Sequence, residues 1–87
     1  MKAETVKTIL DNFEDSVKLC SKPCSMGVYL VRAEAMLESE RCAMDALDGM
    51  TGTQEETEAL EFRFSYIESL YEDTIRRARE ETGHEDR

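Results

Sequence analysis

The chain has 87 residues, of which 40% are hydrophobic and 36% are charged, and a formal net charge of −9 from 20 acidic and 11 basic residues. A domain of this size buries only about 60–65% of its unfolded surface, so association with another chain is a plausible source of stability. The acidic balance disfavours direct contact with nucleic-acid phosphates. No hydrophobic run approaches the roughly 18 residues of a membrane span, so we expect no membrane insertion.

The first predicted helix is defined by one apolar stripe with helical spacing. We predict helix 1 over about residues 3–19, with Glu14 and Lys18 paired in the favoured (i, i+4) order. Pro23 cannot continue the helix and disfavours helical geometry at Lys22. The stripe consists of Val6, Ile9, Leu10, Phe13, Val17 and Cys20.

Ser25 is a good N-cap, and we predict helix 2 over about residues 25–48. This segment is apolar on two faces, which is typical of a central helix packed on both sides. We therefore expect helix 2 to be the most buried of the three helices. One face comprises Met26, Tyr29, Leu30, Ala33, Met36, Leu37, Met44 and Leu47, and the other Val28, Val31, Ala35, Cys42 and Ala46.

Gly49 is placed to be the left-handed residue that follows a helix. Thr53-x-x-Glu56 has the spacing of a capping box and predicts the start of helix 3. We predict this helix over about residues 53–82, ended by Gly83, with a frayed tail over 83–87. Its apolar stripe consists of Leu60, Phe64, Ile67, Tyr71, Ile75 and Ala78.

Together these elements predict a single all-α domain over residues 1–87. Because the connection between helices 2 and 3 is short, they should form a long antiparallel helical hairpin. The shorter N-terminal helix is then expected to pack on that hairpin. Phe13, Leu37 and Ile67 lie in the middle of their stripes, and we expect all three in the core.

No motif for catalysis or for cofactor binding is present, so we expect a non-enzymatic protein without a cofactor. Cys20, Cys24 and Cys42 are odd in number and fit no disulfide framework, which indicates free thiols in a reducing cytoplasm. The first five residues contain no apolar signal core, which also favours a cytoplasmic protein. With His84 as the lone histidine, we expect no metal site. Cys20 and Cys42, which lie on apolar stripes, are expected to behave as small hydrophobes.

The middle of helix 3 is apolar over more than half of its circumference. Phe62, Tyr66 and Leu70 follow one another at (i, i+4, i+8) and lie beside the main stripe. Helix 1 or a second copy of the chain can cover this surface. The functional alternative is that Phe62, Tyr66 and Leu70 bind a partner, as helical modules do when an amphipathic helix meets a groove.

One resemblance to a known family is present. The segment from Leu37 to Ala78, with its acidic turn containing glycine and its two amphipathic arms, resembles the small co-chaperones of type III secretion needle subunits. The resemblance implies a helical hairpin that binds a larger helical-repeat chaperone and helps to keep a needle protein soluble. Helix 1 and the three cysteines depart from that pattern.

Three functions therefore stay open at the level of sequence. The first is a cytoplasmic chaperone or adaptor that binds a helical protein partner or associates with itself. The second is a small acidic inhibitor that docks on the basic, nucleic-acid-binding surface of its target. The third is a redox or metal switch that uses Cys20, Cys24 and Cys42.

Overall fold

The computed structural model describes residues 1–83, with side chains as far as Glu80, and folds them into three α-helices. These are α1 (Ala3–Cys20), α2 (Met26–Asp48) and α3 (Gln54–Gly83). Within residues 1–83 there is no strand, only one isolated parallel bridge between Lys2 and Thr51. The all-α prediction is confirmed. The predicted frayed tail over 83–87, apart from Gly83 at the end of α3, and the lone His84 lie outside the described residues.

The helix starts follow from local side-chain chemistry. Ser25 Oγ accepts a hydrogen bond from the Val28 N–H at 3.4 Å and caps α2. At α3, Thr53 Oγ1 accepts from the Glu56 N–H at 3.1 Å, and Glu56 Oε1 accepts from the Thr53 N–H at 3.0 Å. These reciprocal bonds form the predicted capping box. The hydrogen bonds from the Thr53 backbone and hydroxyl lower the pKa of Glu56.

The end of α2 differs from the prediction. Gly49 has φ −98° and ψ 10°, and no residue in the described part of the chain has a positive φ. The left-handed assignment of Gly49 is therefore wrong. The Gly49 N–H bonds to the Asp45 carbonyl at 3.1 Å, and the Met50 N–H bonds to the Leu47 carbonyl at 3.4 Å. The helix thus ends in a tightened last turn, which satisfies these carbonyls without a left-handed residue.

Contacts between the helices fix their directions. The Thr51 N–H donates to the Met1 carbonyl at 2.7 Å, so α1 begins beside the connection between α2 and α3. The end of α1 lies beside the first half of α2, since Arg32 donates to the Leu19 carbonyl at 3.3 Å. Hence α1 runs antiparallel to α2 and parallel to α3. It packs most against α2 and less against α3, while α2 and α3 contact each other least.

The core is built around α1. Five of its residues are buried, compared with three of α2, so the expectation that helix 2 is the most buried is wrong. The reason is that α1 packs against both other helices, whereas α2 and α3 contact each other little. The buried apolar residues are Val6, Leu10, Phe13, Val17, Cys20, Met36, Ala43, Ala46, Ile67 and Tyr71.

Several expected core positions on α2 face outward. Leu37 is 48% exposed, and its assignment to the core is wrong, whereas Phe13 and Ile67 are fully buried as predicted. The inward side of α2 presents Ala43 and Ala46 next to the large α1 residues. Small residues there allow the two helices to approach closely, and this rotates the larger apolar residues away from the core. Those rotated outward are Met26, Leu30, Leu37, Met44, Val28, Val31 and Cys42.

Candidate partner-binding surface

The three predicted anchors on α3 lie together but differ in exposure. Phe62 is 80% exposed and Tyr66 is 58% exposed. Leu70 is half-buried and packs against the core cluster. Two aromatic rings therefore project from one side of α3, and Leu70 lies one turn further along the helix. A large apolar ring in solvent loses the stabilisation that burial would give, so exposed aromatic side chains are typical of binding surfaces.

The first half of α3 is strongly acidic around these rings. Glu55, Glu58 and Glu61 are all exposed. Arg63 does not neutralise this side, because its guanidinium is bound to α1 through Asp11 at 2.5 Å and Glu14 at 3.0 Å. The aromatic pair is therefore bordered by carboxylates that form no ion pair with the described residues, and these favour a partner surface with lysine or arginine at its edge.

A second exposed apolar surface lies on α2. It consists of Met26, Leu30, Leu37 and Met44, here called the α2 seam, and all four side chains are exposed. The sequence predicts these four residues on one apolar face of helix 2, with Leu37 in the core. The seven-residue interval from Leu30 to Leu37 to Met44 is the signal that could have identified a separate stripe.

Two carboxyl groups meet between α2 and α3, and the sequence did not predict this contact. One carboxyl oxygen of Glu68, Oε1, is buried and has no hydrogen-bond partner among the described residues. Burial, a hydrogen bond with Glu40, and the charges of Glu40 and Glu72 raise the pKa of Glu68 to about 8. Glu68 therefore holds its proton to a higher pH than an isolated glutamate does. The neighbouring Tyr71 also has a raised pKa, first through burial and then through the charges of Glu40 and Glu68.

The three cysteines occupy different environments, and all are free thiols. Cys20 is buried as expected, and burial raises the pKa of its thiol. Such a thiol is a poor nucleophile at neutral pH, which disfavours Cys20 and Cys24 as an activated redox pair. Cys42 is exposed beside a groove that Ile9 and Asn12 also line, so its assignment to a buried stripe is wrong.

Two basic residues near the end of α3 form ion pairs within their own helix. Arg76 and Arg77 both pair with Asp73 on the same helix. The Arg77–Asp73 distance is 2.8 Å. In residues 1–83, no group of three or more histidine, cysteine or acidic side chains is arranged to hold a metal ion. None of the described helices is long and apolar enough to cross a bilayer.

The aromatic pair on α3 and the α2 seam therefore offer exposed apolar area for binding, and the glutamates of α3 offer negative charge. No protein-family model matches the chain, and no curated protein or solved structure is significantly similar to it.

Proposed function

We propose that this chain is a non-enzymatic adaptor that binds a helical partner protein through the exposed side of α3. The observation that carries the proposal is the exposure of Phe62 and Tyr66, at 80% and 58%, one helical turn apart. Aromatic residues supply much of the binding energy when they enter a pocket on a partner. Leu70 lies one further turn along α3 and extends the same stripe.

The apolar and acidic residues of this α3 surface indicate which class of partner protein it can bind. An apolar ridge bordered by Glu55, Glu58 and Glu61 complements an apolar groove with basic residues at its edge. A groove between the helices of a helical-repeat protein has this shape. The resemblance to needle-subunit co-chaperones suggests the same class of partner, with a cytoplasmic role in keeping a secreted helical protein soluble.

The supporting fold is suited to this role. The side of α3 that faces the core is fixed by Ile67 and Tyr71, both buried, and by the ion pairs from Arg63 to α1. The opposite side presents Phe62 and Tyr66 on a rigid helix instead of a loop. A rigid support reduces the conformational entropy that binding costs.

The test is a double substitution, Phe62→Asp with Tyr66→Asp. Partners would first be captured from the native host, identified by mass spectrometry, and then purified for direct titration by calorimetry. We expect the double variant to retain wild-type helical content by circular dichroism and to lose binding. Val31→Asp is the matched control, because Val31 is 69% exposed on a different helix, and it should bind as the wild type does.

Two results would contradict the proposal. One is unchanged affinity in the folded double variant, which would place the interface elsewhere. The other is unfolding of the double variant, which would mean that these rings stabilise the isolated chain.

A further inference from the structure

The α2 seam is an apolar stripe that the described residues leave exposed. Leu30, Leu37 and Met44 are 60%, 48% and 50% exposed. They recur every seven residues, which is close to two turns at about 3.6 residues per turn, so they lie on one side of α2. A stripe with this period is the contact pattern of two helices that pack along their lengths.

The charges beside the seam are arranged almost symmetrically about Leu37. Glu34 lies three residues before Leu37 and Arg41 lies four residues after it, both exposed on the same flank of the stripe. Among the ion pairs of the described residues, neither Glu34 nor Arg41 takes part. A glutamate and an arginine at nearly equal distances from a central leucine are complementary to the same helix running in the opposite direction.

We infer that two copies of this chain pair through α2, antiparallel, about a two-fold axis that passes close to Leu37. In this arrangement Leu37 meets Leu37 of the second copy, and Leu30 meets Met44 of the second copy. Glu34 lies opposite Arg41 of the second copy, and the symmetry produces this ion pair twice. Leu30, Leu37 and Met44 thereby each gain an apolar neighbour, while Met26 at the end of the seam lies beside Asp48 of the second copy.

A parallel pair is disfavoured by the same residues. In a parallel pair the two-fold axis runs along the helices, so the flank that carries Glu34 and Arg41 in one copy lies on the opposite side of the contact from the same flank of the other copy. Neither residue then gains its ion-pair partner. The helix dipole also favours antiparallel pairing over parallel pairing. The first turn of α2 contains no acidic residue, while Asp45 and Asp48 lie in its last turn. Antiparallel pairing brings these acids beside the positive N-terminal end of the other α2, where they are favourable.

The inferred dimer leaves the aromatic pair free. Phe62 and Tyr66 lie on α3, whereas the dimer contact lies on α2, although its Met44 end shares a groove with Glu61 of the acidic border. Self-association and partner binding can therefore be measured separately, and failure of one does not imply failure of the other.

The test exchanges charges and uses sedimentation equilibrium. We expect the wild-type chain to dimerise, and Glu34→Arg and Arg41→Glu each to weaken dimerisation by about tenfold or more, because each creates two like-charge contacts. An equimolar mixture of the two variants should recover the dimer, since both contacts then join an arginine of one variant to a glutamate of the other. Circular dichroism should show that both variants remain helical. A wild-type chain that stays monomeric at high micromolar concentration, or a mixture that does not recover, would overturn the inference.

Cross-linking locates the axis independently. In a background of Cys24→Ser and Cys42→Ser, Leu37→Cys should form an intermolecular disulfide under mild oxidation, because the axis brings the two positions 37 together. The matched control is Val31→Cys in the same background. Val31 is also exposed but lies off the seam, so it should cross-link far more slowly. Equal cross-linking at the two positions would contradict a two-fold axis at Leu37.

Discussion

Arg63 Nη2 on α3 lies 3.0 Å from Glu14 Oε1 on α1, and this contact joins two parallel helices across the edge of the core. The same nitrogen lies 2.5 Å from Asp11 Oδ1, so one guanidinium binds two carboxylates. Lys18, at 2.9 Å from Glu14, completes the cluster. The hydrogen bonds from Lys18 and then from Arg63 lower the pKa of Glu14.

Replacing Arg63 with alanine should destabilise the fold modestly. The Arg63 side chain is 28% exposed and the Glu14 side chain 21% exposed, so solvent screens the pair and we expect a loss of about 1 kcal/mol. The loss is measured as the change in the free energy of unfolding by urea titration, and Arg63→Lys is the charge-preserving control.

The same ion pair should make stability depend on pH. Because the pKa of Glu14 is lowered in the folded state, the contribution of Glu14 to stability is present above the unfolded pKa and disappears as the pH falls. The difference between wild type and Arg63→Ala should therefore shrink in acid, and a difference that grows there would contradict this interpretation.

Truncation of buried and exposed apolar residues should give opposite results. Phe13 contacts Phe64 and Tyr71 with ring centroids at 5.8 and 6.0 Å. We expect Phe13→Ala and Ile67→Ala each to cost about 2–5 kcal/mol. Leu37→Ala, measured by denaturation at concentrations where the chain is monomeric, should cost less than about 1 kcal/mol because Leu37 is half exposed. A large cost at Leu37 would mean that α2 is rotated relative to the structure described above.

The acidic pair between α2 and α3 should make stability depend on pH. The pKa of Glu68 is about 8 in the folded protein and 4.5 in the reference state, so the folded chain binds the extra proton between these values. Stability should therefore fall as the pH rises from about 5 to 8. Glu68→Gln should reduce this dependence and stabilise the chain at pH 8 by about 1 kcal/mol, given partial screening by solvent.

Glu72→Gln is the control for the Glu68 experiment. Glu72 is exposed and contributes only through its charge, as the last of the four causes that raise the pKa of Glu68. It should therefore alter the pH dependence less than Glu68→Gln does. If Glu68→Gln left the pH dependence unchanged, Glu68 would not be the group that titrates.

The three cysteines should differ in how fast they react with a thiol reagent. Cys24 and Cys42 are exposed and should react quickly with a thiol reagent such as dithiobis(nitrobenzoate), whereas Cys20 should react only as the chain unfolds. Cys20→Ser buries a hydroxyl and should cost about 1–3 kcal/mol, while serine at position 24 or 42 should change stability by less than about 0.5 kcal/mol. Three thiols that react at equal rates in the folded chain would contradict the burial of Cys20.

Gly49 provides a test of the observed helix end. A Cβ added there would lie 3.6 Å from the Asp45 carbonyl oxygen, which is an ordinary contact, and φ is −98°. Gly49→Ala should therefore stabilise the chain by about 0.4–1 kcal/mol by restricting the unfolded state. Thermal unfolding measures this, and destabilisation would indicate that Gly49 does adopt a left-handed conformation.

The features that depend on neighbouring residues in sequence could be predicted, because their interactions are local. The capping box of Thr53 and Glu56 and the pairing of Glu14 with Lys18 are examples, and both are present. The rotation of α2 could not be predicted in this way. Its apolar residues occupy most of its circumference, so the inward side depends on which residues accommodate α1. Ala43 is fully buried while Leu37 is not, which reflects the close approach of α1.

The same distinction between local sequence and helix packing applies to the candidate site. Phe62 and Tyr66 could be identified because they lie beyond the width of the α3 core stripe. The contact between Glu40 and Glu68 could not be identified, because it depends on how far α2 and α3 are offset along their axes. The seven-residue spacing of Leu30, Leu37 and Met44 marks them as one stripe. That this stripe faces away from the core depends on the rotation of α2, which places Met36, almost fully buried, on the inward side.

The length of α3 has a consequence for hydrodynamic experiments. The Cα atoms extend over 51 × 18 × 17 Å, so the fold is elongated. A rod-like particle experiences more friction than a sphere of equal mass, so it migrates through a gel-filtration column ahead of compact standards. Elution volume alone would therefore overestimate the mass of a single chain. Light scattering and sedimentation equilibrium, which report mass independently of shape, distinguish one elongated chain from a pair.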